Sequence, residues 1–339
     1  MVQRPGVYLP IGTRTVVQCP KNMFRCIAAL SVRTAGLISL LGLIAAAQSA
    51  AESKNGFLLD NALIPAEQII SGGPGRDGIP SLDDPRFVDA DEAGFVNEKD
   101  RVLGIRINGR ARAYPVQILN YHEIVNDRIG DQAVAISWCP LCGSGMAFSS
   151  AIDGMRLEFG VSGLLYNSDV LMYDRQTESL WSQIKKIAVT GPMKGTELKS
   201  LPLTNTTWRD WRTRYPESMV LSTDTRFRRN YEVDPYPNYG RDGKLYFPVA
   251  EENRQYRRKS LVMGLEIDGG FKAYPFEELK KGPAQFTDEF QGEQFTVGFD
   301  ELNQSAEIVG ADGAEIPTLI AFWFAWYAFH PDTEIFAAE

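Results

Sequence analysis

Val102–Leu119 reads VLGIRINGRARAYPVQIL, and Val262–Leu279 reads VMGLEIDGGFKAYPFEEL; eight of the eighteen positions are identical. A match of that length at a distance of 160 positions is the mark of an internal repeat. Each copy alternates apolar residues, reaches Asn108-Gly109 or Asp268-Gly269, and continues into a short strand ending in Ala-Tyr-Pro. Asn-Gly and Asp-Gly tolerate the two positive φ angles of a type I′ turn, so both copies predict tight β-hairpins. Pro115 and Pro275 then stand where a first helical turn accepts proline, and a short helix should follow each.

A second pair of matches extends the duplication. Trp208-x-x-Trp211-x-x-x-Tyr215-Pro216 corresponds to Trp323-x-x-Trp326-x-x-x-His330-Pro331, with tryptophans spaced to share one helix face. The copies are unequal: 106 positions separate Val102 from Trp208 and 61 separate Val262 from Trp323, leaving 45 extra residues in the first. Those residues follow a strand over Ala133–Trp138 and carry Cys139-Pro-Leu-Cys142-Gly-Ser-Gly, a hairpin turn at Asp153-Gly154, and FGVSGLLYNSDVLMYDRQTESLWSQ over Phe159–Gln183. An elaboration kept by one copy alone is the natural place for a function, or else a cover for a sheet edge.

These patterns predict an α+β protein of mostly short antiparallel strands with a few short helices, in two pseudo-repeated lobes. The division expected is a signal peptide over 1–51, an extended N-terminal arm over 52–100, a first lobe with the Cys-x-x-Cys insertion over 101–225, an ordered connection over 226–260 and a shorter second lobe over 261–339. The signal rests on Arg25 and Arg33, the apolar run Ala35–Ala47 and the small residues Ser49-Ala50-Ala51. Met23 opens a signal of more usual length, which would make residues 1–22 a mis-called start. Thirteen apolar residues fall short of the roughly 20 that span a bilayer, and the stretch Ile320–Phe329 is shorter still, so no stable membrane span is expected after cleavage. A periplasmic or secreted location follows.

The first 51 residues hold five basic side chains and no acidic one, so their removal takes the formal net charge from −8 to −13. Such an acidic surface argues against nucleic acid as a partner and leaves the partner unknown. With 44% apolar residues the remaining chain of about 290 can bury a large core without a disulfide framework. Gly72-Gly73-Pro74-Gly75 lacks the Gly-Lys-Ser/Thr ending of a phosphate loop. Gly143-Ser144-Gly145 is not the Gly-x-Ser-x-Gly elbow of a serine hydrolase.

Cys19 and Cys26 leave with the signal, so Cys139 and Cys142 carry the chemistry. Two sulfurs at this spacing can close a small disulfide or grip one metal ion. Gly143-Ser144-Gly145 leads towards a strand and not a helix, which removes a thioredoxin fold. As a metal site, soft sulfur suits Cu(I) and, with imidazole, Zn(II). His122, in the same lobe, is the best third ligand, with Met146 or His330 as a fourth. Asn167, Asp169, Asp174, Arg175, Trp181 and Gln183 come from a segment dense in hydrogen-bonding groups and are expected to line a pocket beside the cysteines; Asp174 and Arg175 also read as a structural pair before a turn. The functions in play are a copper or zinc site, a thiol–disulfide redox pair with Cys139 attacking and Cys142 resolving, or a binding protein stapled by a disulfide.

HEIVND (122–127), SWCPLCGS (137–144), FGVSGLLYNSD (159–169), MYDRQTESLWSQ (172–183) and AFWFAWYAFHPDTEIF (321–336) together resemble the bacterial family labelled domain of unknown function 3179. The resemblance spans nearly all of the chain after the signal and implies export, without supplying an activity.

Overall fold

The computed structural model describes residues 52–338, so the expected signal peptide and its two cysteines lie outside the described residues. Both repeat hairpins form as anticipated. Arg101–Ile107 pairs with Arg110–Pro115, and Leu261–Ile267 with Gly270–Pro275. Their turns take positive φ at both central residues, 50° and 78° at Asn108-Gly109 and 48° and 74° at Asp268-Gly269. Each hairpin feeds a short helix, Val116–His122 or Phe276–Leu279, with the proline as the cap that precedes it.

The lobes do not form. Strand accounts for 41% of the structure and helix for only 11%, and the sheets are the blades of a five-bladed β-propeller. Among the described residues the four α-helices are four to seven residues long and link strands; they make no layer, which is why an α+β description fails. Blade one is the first hairpin with Thr204–Thr207 on one side and Met219–Leu221, then Phe87–Asp89, on the other. Blade two holds Ile124–Ile129, Gln132–Cys139, Ser144–Ser149 and Ser200–Leu201. Blade three holds Phe159–Tyr166, Asp169–Asp174, Leu180–Ser182 and Ile187–Ala188, with Ile70–Ser71 added at its edge. Blade four repeats blade one with Thr318–Phe322 and Glu334–Ile335 around the second hairpin, and blade five, Gln285–Phe290 to Glu315–Ile316, repeats blade two.

The duplication is therefore one of blade pairs, and most of the 45 extra residues form blade three. Halves so built cannot separate into lobes, because each packs an edge onto the other: Ser144–Ser149 lies against Thr318–Phe322, and Thr204–Thr207 against Ser305–Gly310. The N-terminal arm is sewn onto this frame, Ile70–Ser71 pairing with blade three and Phe87–Asp89 with blade one.

One contact recurs in both halves. Trp208–Arg214 and Trp323–Phe329 bury both of their spaced tryptophans. Trp211 lies over Gly104 and Trp326 over Gly264, the same position of the two repeats. A Cβ at Gly104 would meet the indole at 2.2 Å, and one at Gly264 at 2.0 Å. Overpacking of this kind costs about 1–3 kcal/mol. Gly104→Ala and Gly264→Ala should each lower unfolding stability by that amount in chemical denaturation. Gly298→Ala, whose added carbon meets nothing closer than 3.5 Å, should change it by less than about 0.5 kcal/mol.

Candidate metal centre

Two hairpin tips meet where blade two adjoins blade three. The first tip is Cys139-Pro140-Leu141-Cys142-Gly143-Ser144, in which Cys139 and Ser144 are cross-strand partners and Gly143 turns the chain with a φ of 61°. No helix begins here, so no helix N-terminus is present to stabilise a thiolate. The second tip is Asn167-Ser168, both at positive φ, with Asp169 opening the returning strand. Cys139 Sγ points at the Ser168 carbonyl, 3.7 Å away. A ligand atom from each of Cys139, Cys142 and Asp169 lies within 4.8 Å of the others, and all three residues are buried.

The remaining bonds hold this arrangement rigid. Gln183 donates from Nε2 to Ser137 Oγ and accepts from Ser144 Oγ, both at 2.8 Å, so it braces the strands on either side of the cysteine tip. The Phe322 N–H donates to the Cys142 carbonyl at 2.8 Å, tying the same tip to blade four. Asn167 accepts from the Ala250 N–H and donates to the Ala328 carbonyl, while Ser168 donates to the Phe247 carbonyl. The connection 226–260 thus covers the second tip.

Electrostatics are one-sided. Burial pushes both thiols up, Cys142 strongly, with the Asp169 charge adding to the effect. Burial lifts Asp169 to about 7, partly offset by the Ile184 N–H. Glu123 is lifted to about 8 by burial and by the charge of Asp169. The strongest mutual influences here are all between acidic groups. Asp169 Oδ2 accepts from the Ile184 N–H at 3.2 Å, but Oδ1 has no hydrogen-bond partner, and the nearby Tyr239 hydroxyl is also buried without one. A buried polar atom left alone costs about 1–3 kcal/mol, so such atoms ask for an explanation.

The histidines lie elsewhere. His122 is buried with Nδ1 2.7 Å from the Pro80 carbonyl and Nε2 2.7 Å from the Tyr231 hydroxyl, which occupies both ring nitrogens. Burial holds it down at about 4. His330 and Met146 both line a different cavity. Asp174 accepts from the Thr177 N–H and hydroxyl and from the Trp181 indole N–H, closing a turn in blade three. Arg175 pairs with Asp83 and Ser81 of the arm. Of the His, Asp and Glu residues named from sequence, only Asp169 brings a donor atom to the two sulfurs, while Gln183 and Asn167 brace the two tips.

Glu123 is the member that sequence reading missed. It caps the helix Val116–His122 at φ 56° and ψ −32°, an unusual conformation for a side chain of this size. Its side chain lines a cavity of about 190 Å³ together with Leu141 of the cysteine tip and Tyr236 of the connection. Its place directly after His122 was the only signal.

These features define a propeller protein with a closed dithiol–carboxylate site between two blades. The chain belongs to the family described as Protein of unknown function (DUF3179), whose model matches residues 76–311. No curated protein and no solved structure matches it. No helix among the described residues is long and apolar enough to cross a membrane.

A pH dependence follows from the signs. Asp169 and Glu123 hold their protons to about 7 and about 8 in the fold, against 3.8 and 4.5 ordinarily, so the stability tied to their neutral forms is lost as pH rises through those values. His122 and His330, depressed to about 4 and about 3, act in the opposite sense and only below their ordinary 6.5. Between pH 6.5 and 8 the carboxyls act unopposed. Metal-free protein should lose on the order of 5 °C of melting temperature across that interval. Asp169→Asn should flatten the slope; a wild-type melting temperature that rises from pH 6.5 to 8 would refute the assignment.

Proposed function

We propose that this chain is an extracytoplasmic protein that holds one metal ion between Cys139, Cys142 and Asp169. The observation carrying the reading is the convergence of three acidic donors within 4.8 Å in a buried site, with Asp169 Oδ1 left unpartnered. Without a cation the group is stable only while protonated. A divalent ion would deprotonate both thiols, satisfy the free carboxylate oxygen and remove the repulsion among them.

The donor set favours zinc over copper. Cu(I) prefers soft ligands throughout, whereas Zn(II) accepts thiolate sulfur and carboxylate oxygen alike. Three protein donors fall one short of a closed tetrahedral site, so a fourth position is left for water or a small ligand. Glu123, which feels the Asp169 charge, is the side chain suited to hold a proton beside that position.

Metal content tests this. Protein purified from a periplasmic expression should carry about one equivalent of zinc. Reduced apo-protein should develop a thiolate-to-metal charge-transfer band on adding Co(II). Cys139→Ser and Cys142→Ser should abolish the band, and Asp169→Asn should weaken metal affinity by at least about 10–100-fold, the loss typical when a group that merely supports a metal ligand is removed. Absence of both stoichiometric metal and the cobalt band would sink the proposal.

A second reading has its own support, since the two sulfurs lie within 4.8 Å of each other. In it, Asp169 takes the Cys139 proton as that sulfur attacks a partner disulfide and releases one partner thiolate; Cys142 then closes the Cys139–Cys142 bond and releases the second, and the two partner thiolates take up the two protons. Metal-free protein whose Cys139–Cys142 pair is oxidised and reducible by a thiol buffer would favour that reading over the first.

A further inference from the structure

Two stretches outside the blades, one in the N-terminal arm and one in the connection 226–260, close over blade three and leave a cavity of about 190 Å³. Its floor is aliphatic, with Val161, Leu164, Leu165 and Val170 supplied by blade three. Tyr236, Tyr246 and Phe247 of the connection form an aromatic side. Tyr246 is 54% exposed and marks the rim. Among the described residues that line the cavity, Glu123 is the only acid and none is basic.

Glu123 is 8% exposed, and its backbone is fully engaged: its N–H donates to the Leu119 carbonyl and its carbonyl accepts from the Trp138 N–H, both at 2.7 Å. Its carboxyl group has no hydrogen-bond partner among the described residues. Unlike Asp169 Oδ1, its oxygens are not sealed away, and the cavity is where they open. Other deeply buried charged side chains of this fold are paired: Asp127 has Arg112 and the Tyr114 hydroxyl, and Lys272 has Asp288 and Glu334. A buried acid without a counter-ion is costly, and a position at φ 56° is met at least strain by glycine, so neither packing nor backbone accounts for a glutamate here. An apolar cavity of about 150 Å³ accommodates benzene, and this one is larger.

We propose that this cavity binds a small primary alkylamine, its ammonium donating to the Glu123 carboxylate and its hydrocarbon body lying on the aliphatic floor beside Tyr236 and Phe247. An ammonium brings both the missing counter-charge and the missing donors, and the aromatic side adds cation–π attraction. A divalent ion would find one carboxyl among apolar neighbours, and an anion would find no cation. Cys139, Cys142 and Asp169 do not line the cavity, so the assignment is independent of whether a metal occupies the thiol site.

Cyclohexylamine is the probe, with cyclohexanol as its uncharged counterpart of nearly the same shape. The titration is run on the purified protein at pH 8.5, above the value of about 8 to which burial lifts Glu123, where an alkylamine keeps its charge as lysine does. The amine should give saturable one-to-one binding by calorimetry, and the alcohol should bind at least tenfold more weakly, about 1.4 kcal/mol. Glu123→Gln keeps the size of the side chain and removes its charge; it should weaken the amine at least tenfold and leave the alcohol within about twofold. Tyr246→Ala, at the exposed rim, should weaken both molecules alike, by about threefold. No saturable amine binding, equal affinity for the alcohol, a folded Glu123→Gln protein with wild-type affinity for the amine, or a Tyr246→Ala protein unchanged towards both would each overturn the assignment.

Discussion

The packing of an indole onto a bare strand backbone organises both halves of this molecule. Gly104 and Gly264 leave room in a central strand for Trp211 and Trp326, and no side chain larger than hydrogen fits there without moving the ring. Each tryptophan is anchored at its far end, Trp211 to Ser218 at 2.8 Å and Trp326 to Thr333 at 3.0 Å. The helix, the hairpin below it and the parallel strand that follows are thereby fixed as one unit. Blades one and four are two copies of that unit, and the edges they present to blades five and two join the halves.

On that frame the thiol site is a product of two turns, not of one element. The cysteine tip supplies both sulfurs, and the Asn167-Ser168 tip presents Asp169 across a blade boundary. Neither tip has an aqueous environment to stabilise charge. The result is a cluster of groups that hold their protons past neutrality yet remain braced by Gln183, Asn167 and Ser168 in one geometry. A site for a nucleophilic cysteine has the reverse character, with exposure and positive charge lowering the thiol pKa. Preorganised acidic donors in a dry site instead match what a metal ion needs.

The parts of this arrangement that were legible in the sequence are those set by local chemistry. Asn108-Gly109 and Asp268-Gly269 dictate their turns within four residues, and tryptophans three apart mark a buried helix face. The number of blades was not legible, because a blade is defined by pairings such as Thr204–Thr207 with Arg101–Ile107 that join strands about a hundred residues apart. The lobes were inferred from a true repeat, but a repeat does not disclose whether its copies pack internally or across each other. The sequence points to His122 as a ligand only through its nearness to the cysteine strand. The left-handed backbone at Glu123 sends consecutive side chains into different surroundings, so the histidine meets Pro80 and Tyr231 while the glutamate enters the cavity beside Leu141.

Departures from the internal symmetry are informative because packing alone does not require them. The two halves solve the same folding problem with the same strand order, so a difference between equivalent positions has a separate cause. Blade three exists in one half only, and it brings Asp169 to the sulfurs. His330 replaces the Tyr215 of the other half, and it faces a cavity that blade three helps to enclose through Ile184 and Lys186. The thiol site and this cavity therefore both touch blade three, one on the Asp169 side and one on the Lys186 side. Buried groups without partners occur at both, Asp169 Oδ1 at the first and His330 Nδ1 beside the second.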